Sequence, residues 1–391
     1  MHNKHQVHVY YFPNYHADPR NEELHGKGWT EWEIVKAAHP RFPGHRQPLV
    51  PQWGYQDESD PEVMACKIAA AAEHGISGFI FDWYWYEGQP ALQRALENGF
   101  MKANNNCSLN FSLMWANHDC DFEWLKYYSE VRKKTVRDSI LPGYVDQEAF
   151  DKMTDYIVGK YFIHPSCLKI GGCPYFSIYS LKNLLKGFDG IEGTREALER
   201  FRIKAKKAGF PGLHINAIVS WVNVLGFEMI DGSMYEVVER LGFDSATTYC
   251  WNPYIKSVEE GRKFPATEYM QFEEAVKKHW EYTRNGLKIP FYPNATMGWD
   301  PSPRTAPSDK YENLGYPFME VCVNNTPGGF KKYLVNMREF MDKHGIEFCT
   351  INAWNEWTEG SYLEPDTVYG MSYLEAVKDV FGNHMSRGQV R

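Results

Sequence analysis

The sequence predicts a single (β/α)8 barrel, because strand-like and helix-like segments alternate eight times along the chain. Strands that are joined by helices run parallel, and eight parallel strands close into a barrel. An open doubly wound sheet is the alternative that the same alternation allows. The predicted strands are short apolar runs at 7–12, 76–83, 109–115, 175–179, 214–219, 245–250, 291–295 and 348–353.

Helical periodicity separates these strands. The first predicted helix follows Asp60-Pro61, an N-cap residue with proline at the first helical position. No repeat or linker interrupts the pattern, so we expect one catalytic domain over residues 1–391. The long segment 14–59 is rich in Trp, His and Pro, which is typical of a functional loop. The predicted helices are 60–73, 91–103, 122–133, 147–161, 195–208, 234–241, 271–284, 327–343 and 372–380.

Composition narrows the possible partners of the chain. Aromatic residues make up 16% of the 391 residues, and the net charge is −8 without any run of Lys or Arg. Such a chain is a poor candidate for binding nucleic acid or an anionic membrane, and neutral or cationic substrates fit better. No apolar run approaches the roughly 20 residues of a membrane span. Without a signal peptide we expect a cytoplasmic protein, or a periplasmic or secreted one if a signal was removed.

The C-terminal ends of the predicted strands carry many aromatic, amide and acidic residues. Barrel enzymes build their sites at these ends, and sugars stack on aromatic rings while their hydroxyls need fixed donors and acceptors. The alternative for each residue is packing beneath loops or, for Asp82, holding a loop in place. The predicted substrate-binding residues are Tyr11, Tyr15, Trp29, Asp82, Trp83, Trp115, Asn117, His118, Tyr249, Trp251, Asn294, Trp299, Asn355 and Trp357.

Glu356 and Glu359 follow the eighth predicted strand and are the candidate catalytic residues. Three residues apart on a helical turn, they would share one face with Cβ atoms about 5–6 Å apart. Such pairs are common on solvated helices, but the flanking Trp354, Trp357 and Gly360 favour a pocket. Two close carboxyl groups perturb each other, and glycoside hydrolysis needs one acid and a second carboxylate.

The segment His118-Asp119-Cys120-Asp121 allows two other interpretations. It could form a metal site, or the D-x-D contact with metal and sugar nucleotide that many glycosyltransferases use. An Asn117/His118 pair that contacts substrate fits it equally well. The sequence contains no dinucleotide-binding fingerprint, P-loop, zinc-protease motif or C-x-x-C pair, so we predict no cofactor and no metal.

Four motifs resemble the WbsX family, from Tyr10 to about Val380. They are Tyr10-Tyr11-Phe12-Pro13, Gly28-Trp29-Thr30-Glu31-Trp32, Phe81-Asp82-Trp83-Tyr84-Trp85 and Trp354-Asn355-Glu356-Trp357-Thr358-Glu359-Gly360. That family is often labelled a glycosyltransferase from polysaccharide gene clusters. It is also grouped as similar to glycoside hydrolase family 99, the endo-α-mannosidases, which carry His where this chain has Thr358.

The resemblance implies a role for each glutamate. Glu359 would protonate the leaving oxygen, and Glu356 would take the proton of the sugar 2-hydroxyl, whose oxygen then attacks C1 to give a 1,2-anhydro intermediate and net retention. Tyr249 would match a sugar-contacting tyrosine. We therefore predict a retaining glycoside hydrolase with a carbohydrate substrate. A glycosyltransferase of cell-surface polysaccharide synthesis and a non-catalytic sugar-binding protein are the alternatives.

Overall fold

The computed structural model describes residues 5–120, 141–219, 233–251 and 262–382. Its central sheet consists of parallel strands that follow one another around a barrel. The strands are Gln6–Tyr11 (β1), Gly78–Tyr86 (β2), Asn110–Trp115 (β3), Cys173–Ile178 (β4), His214–Ile218 (β5), Ser245–Thr247 (β6), Phe291–Tyr292 with Asn294–Thr296 (β7) and Phe348–Asn352 (β8).

Strand β7 closes the barrel because its two halves pair with different neighbours. Phe291 is in register with Ala246 of β6, and Asn294 is in register with Thr350 of β8. Strand β8 in turn pairs with β1, where Val7 lies opposite Cys349. The predicted (β/α)8 barrel is therefore confirmed, and the open doubly wound sheet is excluded.

Hydrogen-bonded polar side chains cross the barrel interior. Thr247 of β6 and Thr350 of β8 bring their hydroxyls to 3.2 Å, although these strands are not neighbours in the sheet. Asn294 donates to the Thr350 hydroxyl at 3.0 Å, and Asn216 donates to Ser177 at 3.0 Å. These contacts fix the lower barrel beneath the strand ends, since buried polar groups are stable only when they are paired.

In the described ranges, ten α-helices connect the strands or follow the last one. Asp60 caps the third by accepting from the Glu62 N–H at 2.8 Å, as the Asp60-Pro61 pair predicts. None of these helices combines the length and hydropathy of a membrane-spanning segment. The helices are Pro19–His25 (α1), Trp32–Ala37 (α2), Pro61–Glu73 (α3), Gln147–Ile157 (α4), Leu181–Gly187 (α5), Ile191–Lys207 (α6), Met234–Leu241 (α7), Glu273–Gly286 (α8), Pro327–His344 (α9) and Ser372–Phe381 (α10).

Two predictions of local structure were wrong. The segment 91–103 is not an α-helix but a π-helical turn, Ala95–Gly99, followed by the 3₁₀ turn Phe100–Lys102. The backbone approaches its neighbours closely here, because a Cβ on Gly99 would lie 2.2 Å from the Glu58 carbonyl oxygen. The segment 14–59, expected as a loop, contains α1 and α2, and the predicted helix 122–133 lies outside the described residues.

Candidate active site

A cavity of about 660 Å³ opens where the strands end. Its walls come from the residues that follow β1, β3, β4, β6, β7 and β8, and from the C-terminal half of β2. This is the face on which barrel enzymes carry their sites. The side chains that line the cavity include Phe12, Arg20, Trp29, Asp82, Tyr84, Tyr86, His118, Asp119, Tyr179, Tyr249, Arg304, Tyr316, Glu356 and Glu359.

A tight turn after β8 carries both candidate glutamates. Asn355–Glu356 pairs antiparallel with Ser361–Tyr362, and the 3₁₀ turn Trp357–Glu359 connects the two pieces. Glu356 precedes this short turn and Glu359 ends it, and both side chains reach the same cavity. The expected helical turn thus begins only after Glu356. Gly360 ends it with φ 64°, and a Cβ there would lie 2.7 Å from the Asp300 Cβ.

Arg304 binds both glutamates. It ends the 3₁₀ turn Ser302–Arg304 after β7, and its Nη2 lies 2.8 Å from Oε1 of Glu356. Its Nη1 lies 3.2 Å from Oε1 of Glu359, and Glu31 is a third carboxylate at 3.7 Å from Nη2. One guanidinium therefore faces three carboxyl groups, and the Phe12 ring lies 5.5 Å from its central carbon.

Two hydroxyl groups complete the contacts of the pair. Tyr316 donates to Oε1 of Glu359 at 2.9 Å, and Thr358 donates to Oε1 of Glu356 at 3.3 Å. Thr358 also accepts from Nε of Arg304 at 3.1 Å. The residue that stands where the mannosidases have histidine therefore belongs to the same hydrogen-bond network as both glutamates.

Burial changes the protonation of this cluster. The pKa of Glu356 is raised well above its ordinary value by burial and then by the Glu359 charge, while Arg304 opposes the shift. Burial also raises the pKa of Glu31, again against Arg304. Several acidic groups that share one cation cannot all ionise easily, so Glu356 keeps its proton at a pH where a free glutamate has lost it.

Asp82 is a third carboxyl group of the cavity. Tyr249 donates to its Oδ2 at 3.0 Å, whereas its Oδ1 is buried without a hydrogen-bond partner among the described residues. Burial raises the pKa of Asp82 well above its ordinary value. His118 is an exposed residue of the cavity wall. An unpaired buried carboxyl oxygen is an acceptor that a bound hydroxyl or ammonium group could satisfy.

Four of the predicted substrate-binding residues line the cavity, namely Trp29, Asp82, His118 and Tyr249. Trp29 comes from the segment between α1 and α2, and its ring stacks on His25 at 3.8 Å between centroids. The segment 14–59, which was expected to be functional, therefore contributes an aromatic side chain to the cavity wall.

The other ten lie away from the cavity, and for Trp83 and Trp115 the reason is that neighbouring strand residues point to opposite faces. Asp82 points inward, whereas Trp83 points to the helices and donates to Tyr161 at 3.1 Å. Asn117 binds the backbone of Ser180 through both amide atoms. All ten side chains are buried in packing or hydrogen-bonding roles: Tyr11, Tyr15, Trp83, Trp115, Asn117, Trp251, Asn294, Trp299, Asn355 and Trp357.

Several cavity residues were not predicted from the sequence. Tyr84 and Tyr86 share the inward face of β2 with Asp82, so the two-residue period of a strand could have identified them. Arg304 ends a short 3₁₀ turn after β7 and Tyr316 lies in the irregular chain that follows, where no periodicity or motif marks them. Their assignment to the site depends on the three-dimensional contacts alone.

Asp119 provides little support for a metal site. Its carboxylate accepts from the Gly143 N–H at 2.8 Å and from Asn183 at 3.0 Å, and both contacts stabilise loops. Asp121 lies outside the described residues. Within the described ranges, no group of three His, Cys, Asp or Glu side chains could hold a metal ion.

Comparison with known proteins places this barrel in a family. The family model described as glycosyltransferase WbsX matches residues 7–377, which is nearly the whole chain. The chain belongs to the WbsX family. The resemblance expected from the four sequence motifs is thereby confirmed.

One curated protein with a similar sequence is the uncharacterized protein WxcX of Xanthomonas campestris pv. campestris. It is 27% identical over 381 residues, which cover 95% of this chain and 48% of the relative. A second strain of the same pathovar carries a relative with the same identity and coverage. The chain therefore spans about half the length of these WxcX proteins.

Solved structures with the same fold include several glycoside hydrolases. A GH99 endo-alpha-mannosidase from Bacteroides thetaiotaomicron is 14% identical, with a TM-score of 0.54 and coverage of 96% of this chain and 95% of its own. A glycoside hydrolase-like protein has a TM-score of 0.62 at 13% identity, covering 96% and 94% of the two chains. At these identities the similarity shows a shared barrel fold, and the reaction must be argued from the site.

Proposed function

We propose that this WbsX-family chain is a retaining glycoside hydrolase that acts on a polysaccharide or glycan. The observation that carries the proposal is the shared turn of Glu356 and Glu359, which brings two carboxyl groups to one cavity and to one guanidinium. Glycoside hydrolysis requires two acidic groups with different protonation states. The glycoside hydrolases among the structural neighbours support the choice of reaction class.

The two glutamates would act in two steps. In the first, Glu359 gives its proton to the glycosidic oxygen as the C1–oxygen bond breaks, and Glu356 takes the proton of the 2-hydroxyl as O2 bonds to C1. In the second, water attacks C1 and opens the 1,2-anhydro ring. Glu359 receives a proton from that water, and Glu356 returns its proton to O2. Both side chains regain their starting states, and two inversions at C1 give net retention.

The reaction requires Glu356 to lose its proton before the first step. Burial favours the protonated form of Glu356, whereas the first step needs this residue ionised. A sugar 2-hydroxyl that donates to Glu356 would stabilise the ionised form of that residue. Substrate binding would thereby leave Glu356 ionised, as the first step requires.

The remaining cavity residues suggest which sugars fit. Asp82 offers a free oxygen and Tyr249 a hydroxyl for sugar hydroxyl groups, and Trp29 offers a ring for an apolar sugar face. Acidic side chains exceed the two arginines that line the cavity, which favours neutral or cationic sugars over anionic ones. Because Thr358 replaces the histidine of the mannosidases, mannose is not assumed.

A panel of glycans and activated glycosides tests this function, with the product anomer followed by NMR. Glu356→Gln and Glu359→Gln should each lower kcat by about 10²–10⁴-fold with the fold intact, as expected for the loss of a general acid or base. Glu339→Gln on the exposed side of α9 is the matched control and should leave turnover unchanged. Normal rates in both site variants would refute the assignment.

The description of the family as glycosyltransferases supports a second candidate. A transferase would bind a sugar nucleotide, and Asp119 is the described acidic residue of the D-x-D segment in the cavity. Isothermal titration with a panel of sugar nucleotides and Mn²⁺ distinguishes the two reactions. Binding heat followed by transfer to an acceptor would favour the transferase, whereas glycan hydrolysis without such heat supports the hydrolase.

A further inference from the structure

A buried ionic cluster lies beneath the turn that carries Glu356 and Glu359. It consists of Lys67 on α3, Glu58 just before that helix, and Glu364 just after the turn; we refer to these three residues as the Lys67 cluster. The Lys67 Nζ lies 2.6 Å from Oε1 of Glu58 and 2.5 Å from Oε1 of Glu364. All three side chains are at most 4% exposed.

Both acidic residues of the Lys67 cluster bind the motif around the glutamates. Glu364 accepts from Nε1 of Trp354 at 2.9 Å through one oxygen and from Nε1 of Trp357 at 2.8 Å through the other. Glu58 accepts from Nδ2 of Asn355 at 2.8 Å. Three residues of the segment 354–357 are therefore bound to the same pair of carboxyl groups.

The backbone of the turn is fixed to the same region. The N–H groups of Leu363 and Glu364 donate to the Trp354 carbonyl at 2.9 and 3.0 Å. The N–H of Trp357 donates to the Tyr15 hydroxyl at 3.1 Å, and the Trp357 ring stacks on Tyr362 at 3.9 Å. Glu356 is the residue of this segment whose side chain reaches the cavity. Its neighbours Asn355 and Trp357 are bound to the Lys67 cluster beneath the turn.

Charge makes these contacts more directional than ordinary packing. Hydrogen bonds to ionised acceptors are shorter and stronger than neutral ones, and buried charges must keep their partners. The lysine supplies the positive charge that allows a buried carboxylate to accept from two indoles at once. Trp354 and Trp357 act here through their N–H donors rather than by stacking on a sugar.

We propose that Lys67 is a positioning residue, which holds Glu356 and Glu359 in reactive geometry through Glu58, Glu364 and the side chains of Trp354, Asn355 and Trp357. The inference rests on the proposed function, because it assigns the geometry of that same site. Lys67 itself is not among the described residues that line this cavity, and it lies on α3, apart from the turn that carries both glutamates.

Glu364→Gln is the most direct test, because glutamine keeps the shape but has only one acceptor oxygen for two indole N–H groups. We expect kcat on the best glycoside of the panel to fall about 100-fold with KM unchanged, as for a small displacement of catalytic groups. The indole ¹H–¹⁵N signals of Trp354 and Trp357 should shift. A ¹³C titration should place the pKa of Glu356 at a different value from that of the wild type.

Lys67→Met is the second variant, and it removes the cation altogether. Lys204→Met is the matched control, because Lys204 also contacts two carboxylates, Asp151 and Asp155, but on the outer helices. The control should keep kcat, the indole signals and the Glu356 titration. If Lys67→Met does not fold, Glu364→Gln still provides the test.

Two failures can be distinguished. Wild-type kcat and an unchanged Glu356 titration in Glu364→Gln, with displaced indole signals, would overturn the positioning role. Absence of any glycosidase activity in the wild type would refute the proposed function. The indole signals and the Glu356 titration need no substrate, so they report on the Lys67 cluster in either case.

Discussion

The Nη2 of Arg304 lies 2.8 Å from Oε1 of Glu356 on the wall of the cavity. Arginine remains charged at any pH at which the protein is folded, so this carboxyl group always has a cation beside it. The same guanidinium contacts Glu359 at 3.2 Å. Arg304 therefore opposes the effect of burial on Glu356 and keeps the ionised form accessible.

Replacing Arg304 should move the acidic limb of the pH profile upward. Arg304 lowers the pKa of Glu356, so its removal raises that pKa further and the ionised base forms only at higher pH. In Arg304→Met we expect kcat/KM at pH 7 to fall about 10-fold to 100-fold, which is the loss of one charge-assisted hydrogen bond. Rates of glycoside hydrolysis between pH 4 and 9 would measure both effects.

Arg202→Met is the control for that experiment. Arg202 pairs with Asp244 at 3.1 Å, at the opposite end of the barrel where β6 begins. Its replacement should leave the pH profile in place. An acidic limb that does not move in Arg304→Met would show that Glu356 is not the base that this limb reports.

The hydroxyl of Tyr316 should contribute to activity but little to stability. It donates to Glu359 at 2.9 Å from a residue that is 46% exposed. In Tyr316→Phe we expect kcat to fall about fivefold, which corresponds to about 1 kcal/mol for one hydrogen bond. Thermal unfolding should be unchanged, because the ring remains. Parallel measurements of kcat and Tm would separate the two effects.

Tyr311→Phe provides the comparison in the same segment. The Tyr311 hydroxyl donates to the Met319 carbonyl and does not contact either glutamate. Its loss should therefore leave kcat at the wild-type value. Equal losses of kcat in the two variants would indicate that this segment acts through its overall conformation and not through the Tyr316 hydroxyl.

The barrel was predictable from the sequence because each strand and most helices have their own local periodicity. The segment 91–103 was not predictable in this way, since its π-helical turn depends on the close approach of Gly99 to the Glu58 backbone. The same holds for β7, where one strand is divided at Pro293 and pairs with both neighbours. The local periodicity of the sequence carries no information about such tertiary contacts.

Part of the candidate site was predictable because its acidic residues lie at or near the ends of strands. The Glu356 and Glu359 pair follows a strand directly, and Asp82 is marked by its position near a strand end. The aromatic residues beside them could be recognised as unusual, but not as pointing inward or outward. Arg304 is 52 residues from Glu356 in sequence and reaches it only because the loop after β7 folds over β8.

Substitutions of Trp29 and Trp83 test whether a tryptophan of the cavity wall and a tryptophan of the core have different roles. Trp29 lines the cavity, so Trp29→Ala should raise KM about fivefold to tenfold, equivalent to about 1 kcal/mol of lost apolar contact, with kcat little changed. Trp83 is buried against Tyr161 on the helix side, so Trp83→Phe should lower Tm and leave KM unchanged. Steady-state kinetics and thermal unfolding of both variants provide the measurement. The reverse pattern would indicate that the sugar contacts Trp83 and not Trp29.

Asp82 should make the stability of the protein fall with rising pH. Burial raises its pKa above the ordinary value of 3.8, so between that value and the folded pKa the native state binds more protons than the unfolded state. The free energy of unfolding decreases with pH wherever the native state holds the additional proton. Asn at this position has no proton to lose and can still accept from Tyr249, so Asp82→Asn should remove this part of the pH dependence.

Urea unfolding of the wild type and Asp82→Asn between pH 4 and 8 measures the effect. The free energy of unfolding of the variant, relative to the wild type, should increase steadily as the pH rises. Asp189→Asn, at an exposed position, should follow the wild type throughout. Parallel curves for Asp82→Asn and the wild type would mean that Asp82 ionises as readily in the folded chain as in the unfolded one. The buried carboxyl group would then be solvated or paired in solution, and its free oxygen would no longer be an argument for a sugar contact.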